Sequence, residues 1–225
     1  MNVVIGSAFR NCESTLGRYF AQVLELRAEL GSKCSVRIIA AEGDSQDRTR
    51  ELLGWWGHET GIPVEIVDAT HGGPVFGSTE SPERLAALST IGDKILAAVR
   101  EGDDFLIYVE SDLIWNAATM HYLLRRARTR AGVYAPMVFA GELFYDVWGY
   151  RKDGVRFSPF PPYHAGLHEF NITPVDSVGS CLVMHANIAR VARMNGGCLV
   201  GFCEDVRRRG WSVFVDPLLR VKHPC

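Results

Sequence analysis

The chain is predicted to fold as an α/β domain with a mostly parallel central sheet flanked by helices, and three observations carry the prediction. Strand-like and helix-like segments alternate through the first half. An apolar run, Phe105-Leu106-Ile107-Tyr108-Val109, has the length of a buried strand and ends abruptly in two carboxylates, Glu110 and Asp112. No linker or internal repeat divides the 225 residues, a length that buries a sizeable core without disulfides.

Taken in order, Val3 to Ala8 reads as the first strand and Phe9 to Glu13 as the loop after it. Leu16, Tyr19, Phe20, Val23, Leu26 and Leu30 recur at helical spacing, with Asn11 or Ser14 to cap the start and Gly31 to stop it. Val36 to Ala41 is the next strand and runs straight into Glu42-Gly43-Asp44-Ser45-Gln46-Asp47-Arg48-Thr49, after which Leu52, Leu53 and Trp56 mark a second helix. Val64 to Val67 is a short third strand. The stretch from His71 to Thr79, with Gly72-Gly73-Pro74 and Gly77, matches neither a phosphate loop nor a dinucleotide fingerprint and reads as a mobile loop. Ser81-Pro82 opens a long helix with Leu85, Leu88, Ile95 and Val99 on one face. This order leads into the acidic strand end and predicts a doubly wound parallel sheet.

The second half changes character. Asn116 to Arg130 is predicted to be a helix, and Val133 to Phe139 a strand in which Pro136 implies an edge or a bulge. Phe144 to Pro174 is rich in aromatics, prolines and histidines with weak periodicity, which suits a substrate-facing loop region. Val178 to His185 reads as a strand, Ala186 to Met194 as a short helix, Cys203 to Arg209 as a helical turn or two, and Ser212 to Val215 as a closing strand.

Composition is ordinary, 47% hydrophobic and 22% charged with a net charge of −2, so nothing overall demands a polyanionic partner. Arginines do cluster at Arg125, Arg126, Arg128 and Arg130 and again at Arg207 to Arg209, either as solvated helix faces or as phosphate contacts. Cys12, Cys34, Cys181, Cys198, Cys203 and Cys225 form no C-x-x-C pair and mostly sit in apolar runs, which predicts reduced thiols in a cytoplasmic protein. The N-terminus lacks a secretory signal pattern, and no apolar stretch approaches the roughly 20 residues of a membrane span.

Acids at the carboxyl end of a strand look into the crevice where open α/β sheets bind ligands. Glu110 and Asp112 supply few, hard oxygen ligands, which suits Mg²⁺ or Mn²⁺ on a diphosphate; the plain alternative is a strand followed by a helix cap at Asp112 or Asn116. The acids around Asp44 either accept hydrogen bonds from a nucleobase or ribose or cap the following helix. Glu204 and Asp205 follow a glycine-rich approach, Gly196-Gly197 and Gly201, and either compensate a helix dipole or deprotonate an acceptor hydroxyl. His223 is either surface or a third metal ligand. His164 and His168, beside Glu169, do not form an H-E-x-x-H pair and read as loop residues, not a zinc site.

In this order the motifs resemble those of GT-A glycosyltransferases. The match runs through Ser7-Ala8-Phe9-Arg10-Asn11, the Asp44 stretch, Glu110-Ser111-Asp112, Glu204-Asp205 and His223. Two further stretches, Phe144 to Arg151 and Asp176 to Ser180, are similar to the fungal mannan-polymerase and capsule-associated mannosyltransferase-like families. The resemblance implies a single GT-A (Rossmann-like) domain over 1–225, with 1–115 binding the nucleotide sugar and 116–225 the acceptor. It implies a hexosyltransferase-like enzyme that takes a UDP- or GDP-linked sugar and uses Mn²⁺ or Mg²⁺. Ala8, Arg10, Asp44, Ser111, Asp146, Ser177 and Gly179 would bind the donor, Glu110, Asp112 and His223 the metal. Glu204 or Asp205 would act as base in an inverting transfer, with a retaining course as the alternative if neither reaches the acceptor. The acceptor hydroxyl is open between glycan, lipid, small molecule and a hydroxylated base in DNA. The competing readings are a sugar-phosphate nucleotidyltransferase and a non-catalytic nucleotide-sugar or glycan-binding module.

Overall fold

A computed structural model of the chain describes residues 1–76, 80–168 and 170–224; Gly77, Glu169 and Cys225, which enter the sequence reading, lie outside the described residues. Four parallel strands, β1 (Asn2–Phe9), β2 (Ser35–Glu42), β3 (Val64–Asp68) and β4 (Phe105–Val109), alternate with α1 (Leu16–Leu30), α2 (Thr49–Thr60) and α3 (Pro82–Ala97). There follow α4 (Ala117–Thr129), β5 (Gly132–Ala140), the short β6 (Leu143–Phe144), a hairpin of β7 (Arg151–Lys152) and β8 (Val155–Arg156), and β9 (Thr173–Val175). The chain then forms β10 (Cys181–His185), α5 (Ala186–Val191), α6 (Cys198–Arg208) and β11 (Ser212–Lys222).

Along the sheet the order is β3-β2-β1-β4-β10-β5-β11-β9, with β6 paired to β5. β10 is antiparallel to both neighbours and β9 to β11, so every other strand on this path runs in one direction. The predicted, mostly parallel α/β sheet is the one found. Burial explains the unbroken apolar runs. On β4, Phe105, Ile107 and Val109 face the core under α1, α2 and α4, while Leu106 and Tyr108 face the core under α3, α5 and α6. Among the described residues no helix is long and apolar enough to cross a membrane.

Local differences from the sequence reading have physical reasons. Asn11 does not cap α1; its Oδ1 accepts from Gln46 N at 2.7 Å and ties the first loop to the second, while Thr15 takes the cap position without a side-chain bond. Ser81 and Asn116 cap α3 and α4 as expected. Pro136 lies in an interior strand, not an edge. Pairing of β10 to β5 covers only Val133 and Tyr134, and β11 shifts register between Asp216 and Arg220 opposite Pro136 and Met137. The missing N–H thus falls where the ladder is interrupted.

The largest difference is at α6, which begins at Cys198, five residues before the expected start at Cys203. Gly201 is not loop flexibility but a helical contact: a Cβ there would lie 2.1 Å from the Met194 carbonyl oxygen. Glu204 and Asp205 therefore stand past the midpoint of a helix, not at its opening.

Candidate active site

The carboxyl ends of β1, β2 and β4 border a crevice of two joined lobes. The first, about 490 Å³, is lined by Ala8, Arg10, Asn11, Gly43, His71, Phe76, Ser111, Asp112 and His223 among others. The second, about 270 Å³, is lined by Leu85, Asp146, Trp148, Gly149, Gly179, Ser180 and Cys198 among others. Arg84, Leu88, Glu110 and Tyr145 belong to both and mark their junction.

Sheet geometry brings the acids together with a residue from the far end of the sequence. Lys222 and Ile114 exchange backbone hydrogen bonds of 2.8 Å each, and His223 N donates to Phe139 O at 2.7 Å. The end of β11 is thereby fixed against the acidic turn. His223 Nε2 stands 3.3 Å from Asp112 Oδ2, its ring stacked on Tyr145 with centroids 3.9 Å apart. Asp112 Oδ1 is buried with no hydrogen-bond partner. Among the described residues no group of three or more His, Cys, Asp and Glu is arranged to hold a metal. Of the anticipated trio Glu110, Asp112 and His223, the structure pairs the last two, while Glu110 turns to the lobe junction.

Glu110 opens onto the crevice, yet the protein packed around it desolvates the carboxyl and, with the charges of Asp146 and Asp112, pushes it up to about 8. Asp146 is raised by burial as well, against the pull of its own hydrogen bonds. It accepts from Ser180 Oγ at 2.6 Å and from Gly149 N at 3.2 Å. Gly179 packs close beside it: a Cβ there would lie 2.3 Å from Asp146 Oδ2 and push the carboxylate from its place.

Ala8, Arg10 and Ser111 line the first lobe as anticipated. Arg10 also fastens the rim: its Nη1 donates to Pro74 O and its Nη2 to Gly73 O, each at 3.1 Å. Asp44, in the left-handed region at φ 59°, accepts from His71 N at 3.0 Å and Gly72 N at 3.1 Å. Those amide bonds, the His71 one foremost, hold its carboxyl below the usual range. Asp44 secures the loop that walls the lobe, and its neighbour Gly43 lines the lobe itself.

Asp44 thus supports the crevice without lining it, and three further anticipated residues are not brought to it. Ser177 is buried, its Oγ donating to Gly149 O at 2.7 Å, and it lines a separate cleft with Arg151, Asp176, Glu204 and Arg207. Glu204 is exposed in that cleft. Asp205 is buried, accepting from Arg193 N at 3.0 Å and pairing with Arg208 at 2.8 Å and Arg209 at 2.9 Å. Burial works to raise its carboxyl, but these partners outweigh it and hold it below the usual range. Asp205 is the anchor of a helix end, not a base facing a substrate. His164 stacks on Phe157 and accepts from Gly166 N, in keeping with a loop role.

The sequence reading missed Arg84, Tyr145, Ser180 and Cys198. Arg84 left a trace: a cation in the first turn of a helix runs against the dipole, so something other than helix stability keeps it there.

No family model matches the chain, and no curated protein matches it. Solved structures do resemble it. TarS 1–349 of S. aureus superposes over the whole chain with a TM-score of 0.59 at 10% identity. GalNAc-T7 with UDP, GalNAc and Mn²⁺ superposes over the whole chain with a TM-score of 0.62 at 15% identity. The mannosyltransferase PcManGT from Pyrobaculum calidifontis, in complex with GDP-Man and Mn²⁺, covers 98% of the chain with a TM-score of 0.61 at 11% identity. The chain spans 60%, 43% and 56% of those three structures, respectively. At these identities the likeness establishes the fold, which is the α/β arrangement of GT-A glycosyltransferases.

Proposed function

We propose that this protein moves a sugar from a nucleoside-diphosphate sugar to an acceptor hydroxyl with the help of a divalent cation. The observation that carries the reading is Asp112. It lies at the carboxyl end of a central strand, one oxygen buried and unpartnered and the other beside His223, at the mouth of a two-lobed crevice. A carboxylate with an imidazole fits Mn²⁺, and Mg²⁺ less well because of the nitrogen donor. Asp112 and His223 would hold the ion, which when bound offsets charge on the departing diphosphate. Two structural neighbours hold a nucleotide or nucleotide sugar together with Mn²⁺, which supports the same class of donor here.

In this reading Ala8, Arg10 and Ser111 border the nucleoside, and Glu110, Asp146 and Gly179 border the sugar. The proton of the acceptor hydroxyl goes to a carboxylate of the second lobe, Asp146 or Glu110, and not to Glu204 or Asp205. An inverting displacement requires one of that pair within reach of the acceptor. Similarity to the fungal mannan-polymerase and capsule-associated mannosyltransferase-like families rests on the stretches Phe144 to Arg151 and Asp176 to Ser180 alone. The nucleotidyltransferase reading is disfavoured by the first loop. Gly6 is packed inside β1 against Ile95 and Leu106, and Arg10 is occupied by the 73–74 carbonyls, leaving no glycine-rich phosphate cradle.

The test is nucleotide release from a panel of UDP-, GDP- and other nucleotide sugars, with and without Mn²⁺. One donor should be consumed in a metal-dependent way, and Asp112→Ala should lower that rate about 100-fold or more, as expected for loss of a metal-borne charge term. Metal-dependent nucleotide binding with no turnover on any donor or acceptor would favour the binding-module reading instead.

A further inference from the structure

Resting on that donor reading, we propose that Ser180 is the positioning residue of the sugar lobe, its hydroxyl orienting the Asp146 carboxylate and its carbonyl holding the Glu110 backbone. Ser180 is 5% exposed and sits at φ 49°, in the left-handed region that glycine enters without steric cost and serine does not. The neighbouring tight positions, Gly179 and Gly149, are glycines. A serine retained in a glycine conformation points to use of its hydroxyl.

The hydroxyl donates to Asp146 Oδ2 at 2.6 Å, and the Ser180 carbonyl accepts from Glu110 N at 2.9 Å. One residue therefore grips a carboxylate from the loop after β6 and the backbone of a carboxylate from the end of β4. Asp146 lies outside regular structure, so nothing in a strand or helix fixes its side chain. Its Oδ1 is held by Gly149 N at 3.2 Å, and Gly179, bare of a Cβ, leaves space beside Oδ2. Removing the hydroxyl leaves that longer bond as the remaining anchor and frees the carboxylate to rotate away from the reacting sugar.

Ser180→Ala removes the hydroxyl and keeps the backbone demand; Ser180→Gly removes the hydroxyl and relieves that demand, so it guards against simple misfolding. In the full chain, kcat and KM for the preferred donor are measured beside the affinity for the matching nucleoside diphosphate with Mn²⁺. Both variants are expected to lose at least about tenfold in kcat, since a displacement of about 1 Å in a positioned group costs that or more. Nucleoside-diphosphate affinity should stay within about twofold, because the first lobe is untouched. Ser180→Gly with wild-type kcat would overturn the proposal, as would parallel losses of kcat and nucleotide affinity, which denote a structural role. Absence of nucleotide binding and turnover in the wild-type protein would overturn the donor reading itself, and this inference with it.

Discussion

Asp205 shows how far a residue's meaning depends on its neighbours. In sequence it is one of two adjacent acids after glycines, a pattern that suits a base; in the fold it is enclosed by Arg193, Arg208 and Arg209. Its lowered carboxyl fixes the sign of its pH dependence. A group ionised more readily in the folded state stabilises above the ordinary carboxylate range and ceases to do so as pH falls through its folded value. Asp205→Asn should therefore cost roughly 2 kcal/mol in urea unfolding at pH 7, the scale for a buried charge-assisted bond, and much less near pH 3. Donor turnover at permissive temperature should persist. By contrast the placement of Glu110 and Asp112 at the crevice was legible, because a strand end dictates where its next residues point. Arg84 and Ser180 were not, since what distinguishes them is a tertiary junction and a backbone angle.

Element by element, the four strands of the first half were read with boundaries within a residue, because doubly buried parallel strands carry unbroken apolar runs. Helix α6 was misplaced at its start, since its opening turn, Cys198-Leu199-Val200, has the apolar density of a buried loop and follows glycines that ordinarily stop a helix. Gly201, inside the helix, is a packing position. Gly201→Ala would force a methyl into the Met194 carbonyl at 2.1 Å, so it should destabilise by about 1–3 kcal/mol in chemical denaturation, the usual overpacking range. An Ala that leaves stability unchanged would show that the α6 start is freer than its packing implies. In the stretch Phe144 to Pro174, read as a substrate-facing loop region, the described residues form short strands and turns that bring Tyr145 and Asp146 to the crevice; their contacts are long-range, which no local period reports.

At the scale of the molecule, the two arginine clusters lie at the end of the sheet opposite the crevice. Helices α4 and α6 both start near the acidic turn and end where β5 and β11 begin, at the paired residues Gly132 and Ser212. Several of those arginines are already engaged, Arg130 over Phe214, Arg207 with Asp176, and Arg208 and Arg209 with Asp205. Nucleic acid held there would be a full strand length from the crevice, which removes the arginines as an argument for a DNA acceptor.

The insertion of β10 between β4 and β5 has a consequence for how the polypeptide matures. Strand β4 carries the acidic turn, yet one of its edges stays bare until residues 181–185 arrive, and Glu110 N finds its carbonyl partner only in Ser180. An emerging chain therefore passes through a stage in which half a sheet presents an unpaired apolar border, a template for misassociation. Residues 1–115 expressed alone should aggregate and fail to retain nucleotide in size-exclusion and equilibrium-binding measurements; a monodisperse, nucleotide-binding fragment would refute this. The stretches before and after residue 115 are thus interlocked threads of one fabric, and neither is expected to be inherited, shuffled or proteolytically released as a working module.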